Sequence, residues 1–317
     1  MSVMKLDQPH QAIENLIQNI EKVLIGKRKV IELSIVALLA KGHVLLEDVP
    51  GVGKTMLVRS LARSIGGDFK RLQFTPDLLP TDVTGVSIYN QRSMEFEFRP
   101  GPIFANVILA DEINRTSPKT QSALLEAMEE HSVTVDGVTH RLSEPFFVMA
   151  TQNPLEYEGT FPLPEAQLDR FLLQLQLGYP TENEEMQILT RFIGQQPIDK
   201  VEPVLTVEEV RALQREVDSI KVSEGVKEYI VRLCHKTRSH PSVYLGVSPR
   251  GALALCRASQ ALAFLRGRDF VIPDDVKELV PVTFRHRIIL KPEARLEGAT
   301  VDRLLSGVLQ ETRVPIG

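Results

Sequence analysis

Two glycines, Gly51 and Gly53, stand just before the pair Lys54-Thr55, and two adjacent carboxylates, Asp111 and Glu112, follow later in the chain. These types suit phosphoryl chemistry. Glycines let backbone amides approach an anion, a lysine bridges terminal phosphates, and a threonine hydroxyl with an aspartate offers hard oxygens to Mg2+. A glutamate beside them can polarise an attacking water, so the set predicts hydrolysis as well as binding. The contact residues expected for ATP are Pro50, Gly51, Val52, Gly53, Lys54, Thr55 and Met56, with Thr55 and Asp111 on the metal. Asp48 stands where the strict phosphate-loop pattern has glycine. An Asp-Glu pair could also cap the helix that starts near Ser117-Pro118.

Three more residues belong with this set. Asn153, in Ala150-Thr-Gln-Asn-Pro, ends an apolar run and could hydrogen-bond a γ-phosphate or the water, although Asn-Pro also forms ordinary turns. Arg170 sits at a helix-to-strand junction. Arg250 follows Ser248-Pro249 in the first turn of a helix, where a cation opposes the macrodipole unless an anion is near. Either arginine could instead form a surface ion pair.

Positioning these groups takes a particular scaffold. Short apolar runs at 43–47, 69–74, 107–110, 146–151 and 171–177 alternate with helical segments, the pattern of a largely parallel sheet covered by helices. The glycine-rich turn between 47 and the helix at 55–64 makes a strand, loop and helix. Helices are also expected over Ala12–Leu24 and Val30–Lys41. Two hairpins interrupt the core, 86–90 against 94–98, and 133–135 against 138–142 around Asp136-Gly137. From about 181 the strand signal stops, and capping boxes at Thr181/Glu184 and Thr206/Glu209 open helices. The expected organisation is an α/β nucleotide-binding core over 1–179 and an all-helical lid over 180–317.

Composition fits a globular chain of 317 residues, 43% hydrophobic and 25% charged. The net charge of −4 argues against a general nucleic-acid binder. Cys234 and Cys256 have no metal or disulfide spacing, Met1–Gln18 lacks the features of a signal peptide, and no apolar stretch could span a membrane, so a cytoplasmic protein is expected.

The motifs together resemble the MoxR family of AAA+ ATPases over essentially the whole length. The likeness rests on Leu45–Thr55, on Asp111 to Met128, on Ala150–Pro154, on Leu163-Pro-Glu-Ala-Gln-Leu-Asp-Arg-Phe171 and on Ser248-Pro-Arg-Gly251. It implies a Walker A motif at Gly51–Thr55, Walker B at Asp111 and Glu112, sensor 1 at Asn153 and sensor 2 at Arg250. Arg170 is similar to an arginine finger that reaches the ATP of the next subunit, the family tolerates Asp48, and Ile25 and Gly26 are implied to line the adenine pocket. The hairpins resemble the family's helix-2 insert, over Pro80–Pro100, and its pre-sensor-1 hairpin, over His131–Leu142; both are expected to face the pore or client, with subunit packing as the alternative. Further implications are Mg2+ and ATP as cofactors, a homo-oligomeric ring, by analogy a hexamer, and a von Willebrand factor A domain partner with a client protein to remodel. A DNA motor and a metal-chelatase subunit are the alternatives. With Arg250 on the ATP of its own chain, hydrolysis is expected to turn the lid about Gly178–Thr181.

Overall fold

The computed structural model describes residues 8–153, 159–192 and 197–315. Residues 1–7 of the leader reading and Pro154 of the asparagine motif lie outside the described residues.

The chain opens with α1 (Pro9–Glu21) and α2 (Arg28–Leu39). The first helix starts at Pro9 rather than Ala12 and ends at Glu21 rather than Leu24. Its apolar rhythm runs past the helix end because Val23 and Leu24 stay buried in the following turn. The core follows as β1 (Val44–Glu47), α3 (Lys54–Ser64), β2 (Phe69–Gln73), α4 (Pro80–Thr84), β3 (Gly85–Asn90), β4 (Glu95–Pro100) and β5 (Val107–Asp111). Then come α5 (Pro118–Glu130), β6 (Ser132–Val135), β7 (Val138–Arg141), β8 (Phe147–Gln152), α6 (Glu165–Leu168) and β9 (Leu173–Leu175).

Five of these strands form one parallel sheet in the order β2-β5-β8-β1-β9. Every residue of β5 is buried, as a central parallel strand covered on both faces requires, whereas β2 at the edge buries only Leu72. Because β5, β8 and β1 are neighbours, Asp111, Asn153 and the turn after Glu47 all emerge at the same carboxyl edge. That edge is where open α/β sheets bind ligands.

Both inserted hairpins form, β3 with β4 and β6 with β7, and they meet through Phe98 stacked on His140 at 4.0 Å between ring centroids.

Beyond the sheet lie α7 (Glu182–Phe192), α8 (Val207–Asp218), α9 (Glu224–Ser239), β10 (Val243–Leu245), α10 (Pro249–Leu265), α11 (Pro273–Phe284), β11 (Ile289–Leu290), α12 (Pro292–Leu296) and α13 (Val301–Glu311). This part is helical apart from the antiparallel ribbon β10-β11, which is too short to show a strand pattern in the sequence. The helix starts behave as expected: Thr206 and Glu209 cap α8 reciprocally, and Ser248 caps α10 with Pro249 at its first position. The apolar interior is continuous from α1, α2 and one sheet face into these helices, and Gln214 of α8 donates to the Leu38 carbonyl of α2 at 2.7 Å.

Candidate functional site

Between β1 and α3 the chain makes the turn that an anion cradle needs. Gly51 and Gly53 take φ of 87° and 99°, a left-handed region that side chains avoid, and a Cβ on Gly51 would enter open space. Glycine is therefore required there for backbone freedom and to leave the cradle empty of side chain. A cavity of about 350 Å³ opens over the turn, lined by Pro50, Gly51, Gly53, Lys54, Thr55 and Met56 on one side and by Asp111, Glu112 and Asn153 on the other. Val52 is not part of that lining. Lys54 donates to the Asp48 carbonyl at 2.7 Å. Burial holds its ammonium below the usual lysine range, and the carboxylates of Asp111, Asp48 and Glu112 oppose that shift.

Thr151 organises the carboxylate pair. Its hydroxyl donates to Asp111 Oδ1 at 2.7 Å and accepts the Glu112 amide at 2.8 Å. Glu112 needs such support because its backbone is left-handed, with φ 57° and ψ 50°, at a cost of about 1–2 kcal/mol for a residue with a Cβ. The Glu112 carboxylate meets β2, where Gln73 donates to it at 2.7 Å, and it also accepts from Arg115, three residues on in its own turn, at 3.1 Å. Arg71, also on β2, donates to Asp111 Oδ2 at 2.6 Å and lines the cavity. Neither Arg71 nor Gln73 carries a motif: both read as outward residues of a half-exposed edge strand.

The aspartate at the atypical position has a structural task. Asp48 is buried, and its Oδ2 accepts the amides of Leu177 and Gly178, the latter at 3.0 Å. The same residue thus touches Lys54 through its carbonyl and the start of the α7 connection through its carboxylate.

Ile25 and Gly26 do not line the cavity, although Leu24 beside them abuts Gly53. Gly26, with φ 71°, lies under the Glu184 carboxylate so closely that a Cβ would collide with it. The start of α7 is therefore set on the turn between α1 and α2, and Lys27 adds a bond to the Tyr179 carbonyl at 3.0 Å.

The two arginines lie elsewhere. Arg170 and Arg250 both pair with Glu129, each at 3.1 Å, and both line a second cavity of about 420 Å³ with Arg287 and Asp169. Arg250, expected on the ATP of its own chain, lines this second cavity and is not among the residues around Lys54. The reason is a buried clasp. Arg287, from the turn between α11 and β11, donates to Asp169 Oδ1 at 2.6 Å and to the Phe171 carbonyl at 2.6 Å. Ser248, the cap of α10, donates to Asp169 Oδ2 at 2.7 Å. Asp169 therefore anchors both the segment carrying Arg170 and the helix carrying Arg250. Burial disfavours the Arg287 charge, and Asp169 offsets that. Sequence reading missed Arg287 because it resembles one member of an exposed basic run, Arg285-His-Arg287.

The first cavity fits a nucleotide triphosphate and its cation. The glycine turn leaves room for phosphate, Lys54 is held only by a neutral carbonyl among its described bonds, and Thr55 with Asp111 offers the oxygen donors that Mg2+ prefers. A cation at Asp111 would have to share Oδ2 with Arg71, whose half-exposed side chain has room to move.

Comparison with known proteins gives the same picture. Residues 43–173 match the model of the ATPase family associated with various cellular activities (AAA), and residues 235–307 match the AAA lid domain. The chain is 61% identical to the uncharacterized protein YeaC of Bacillus subtilis over 97% of its own length and 96% of that protein. It is 43% identical to the chaperone MoxR1 of Mycobacterium tuberculosis, covering 96% of this chain and 82% of the relative. A crystal structure from Cytophaga hutchinsonii, of a protein ascribed to the ATPases, superposes with a TM-score of 0.91 at 38% identity, over 97% of this chain and 96% of that one.

Proposed function

The chain belongs to the MoxR-type AAA+ ATPases, and from that premise we propose that it is a magnesium-dependent remodelling ATPase whose active sites are completed between the subunits of a ring. The observation that carries the reading is the separation of Lys54, Asp111 and Glu112 from Arg170 and Arg250 in one chain. Each subunit then contributes a phosphate-loop half and an arginine half, and a neighbour's arginines complete each site.

Bound MgATP supplies the scissile γ-phosphoryl group and the cation that draws charge from its oxygens. The amides of the turn around Gly51 and Gly53 hold the phosphates, and Lys54 leaves the Asp48 carbonyl to join them. Thr55 and Asp111 would hold the cation. Glu112 accepts the proton of the attacking water, kept in line by Asn153. Arg170 and Arg250 of the adjoining subunit meet the negative charge that builds on the transferred group.

The joined hairpins form the working end in this proposal. Tyr89, Met94 and Phe96 of β3-β4 are exposed, and Tyr89 packs on Phe96 at 5.3 Å between centroids, the kind of apolar surface that grips a protein. Glu95 and Glu97 sit among them, which disfavours nucleic acid as the substrate. The client is a protein, approached with a von Willebrand factor A domain partner. Among the described residues no helix is long and apolar enough to cross a membrane.

The test is ATP turnover against protein concentration, with assembly followed by light scattering. Specific activity rising as particles form is the expected result. Equal specific activity in monomer and assembly would overturn the shared site.

A further inference from the structure

Two surfaces remain unexplained by this chemistry, and they complement one another. The first is a groove of about 580 Å³ between α9 and α10, floored by Ile230, Val231, Leu253 and Cys256 and rimmed by Lys227, His235 and Arg238. Val231 and Leu253 are 48% and 60% exposed. Lys227 pairs with Glu224 at 2.6 Å, an exposed contact that contributes little and exchanges readily, and Arg238 gives its Nε to the Val247 carbonyl. Over its length α9 carries Lys227, Arg232, Lys236 and Arg238 against Glu224 and Glu228.

The second surface is α7. Met186 and Leu189 are 60% and 59% exposed, and Glu182 and Glu185 share their face at three- and four-residue spacing. Helix α7 is thus acidic with an apolar stripe turned to solvent, the converse of the groove.

Position links them. Leu253 borders both the groove and the cavity of Arg170 and Arg250, so groove and arginines form one continuous face. Helix α7 rests on the turn between α1 and α2, whose Leu24 touches Gly53, so α7 flanks the phosphate-loop face. The shared site would bring the arginine face of one subunit onto the phosphate-loop face of the next, and with it the groove toward α7. We propose that α7 of one subunit seats Met186 and Leu189 in the α9/α10 groove of its neighbour, with Glu182 and Glu185 against the Lys227 and His235 rim. The occupant is a second copy of this chain. This rests on the shared-site reading and adds to it a contact outside the chemistry.

Cys256 provides the probe. Full-length Leu189→Cys protein is oxidised with diamide beside a non-hydrolysable ATP analogue, while sedimentation records assembly. A Leu189→Cys/Cys256→Ser protein serves as control. The expected result is a covalent dimer and higher ladder on a denaturing gel, lost in the control. Glu185→Lys should raise the concentration for half-assembly about fivefold, with Lys227→Glu restoring it. Rings that form normally without a cross-link, and without any effect of Glu185→Lys, would overturn the α7 contact and leave the shared site standing. A Cys256-dependent link confined to single chains would overturn it too. Failure to assemble at all with nucleotide would remove the shared site and this contact together.

Discussion

The phosphate-loop face and the arginine face of this chain are built on opposite principles. Around Lys54 the side chains are held loosely, by backbone carbonyls, a threonine hydroxyl and a half-exposed arginine, over a turn that glycine keeps open. Around Asp169 the groups are fixed: Arg287 is buried and bonded to backbone on both sides of Arg170. A face that must admit and release a nucleotide keeps its partners exchangeable, whereas a face that must present charge at a set distance is locked in advance. On the proposed reading, the loose face serves the substrate and the rigid one the neighbour.

The division is easiest to break at the arginine. Replacing Arg170 with alanine should lower turnover by about 10³ to 10⁵, with assembly and ATP binding retained, in steady-state assays beside equilibrium binding. Glu112→Gln should lose about 10² to 10⁴ in turnover and still bind ATP. Mixing these two inactive proteins sharpens the comparison, because activity should reappear: interfaces between an Arg170→Ala phosphate loop and a Glu112→Gln arginine face are intact. No recovery on mixing, with mixed rings shown to form, would put Glu112 and Arg170 of the same chain at one site. A smaller effect is expected at Asp48→Asn, which weakens the charge-assisted bonds to Leu177 and Gly178. The melting temperature should fall by the several degrees that a destabilisation of about 1–2 kcal/mol produces.

The slightest effect at neutral pH should come from His43, at the back of the arginine cavity. Its Nε2 faces the Met128 carbonyl at 3.2 Å and its Nδ1 accepts the Val148 amide at 3.1 Å, so a second ring proton would meet another N–H. Burial, with the His131 ring nearby, lowers its pKa to about 4 against an unfolded value near 6.5. The unfolded chain therefore takes up a proton that the folded chain refuses. Stability should be intact above pH 6.5 and decline by roughly 3 kcal/mol as the pH falls to 4, read from urea midpoints.

Much of this molecule was legible before its structure. Four of the five sheet strands are short apolar runs whose burial on both faces leaves a local signature, and the phosphate loop has a backbone requirement that only glycine meets. The edge strand β2 was found, but its polar residues were mute: Arg71 and Gln73 gain meaning only when parallel pairing puts them beside Asp111 and Glu112. Arg250 shows the same limit from the other side. Its exposed place at a helix start asked for an anion, and in the fold it pairs with Glu129, on a helix far away in sequence. Which face a side chain serves depends on how the C-terminal helices are fastened, and at this end of them the buried pair of Arg287 with Asp169 does the fastening.

That pair also sets the mechanics of the subunit. Because Arg287 grips the backbone around Arg170, a neighbouring phosphate that drew on Arg170, as the proposed shared site requires, would move the C-terminal helices with it. The other end of the lever is pinned where Asp48 holds Leu177 and Gly178, next to the chain's own Lys54. In the ring proposed above, each lid would be driven from one nucleotide and braced against another, so strain would pass in phase from subunit to subunit.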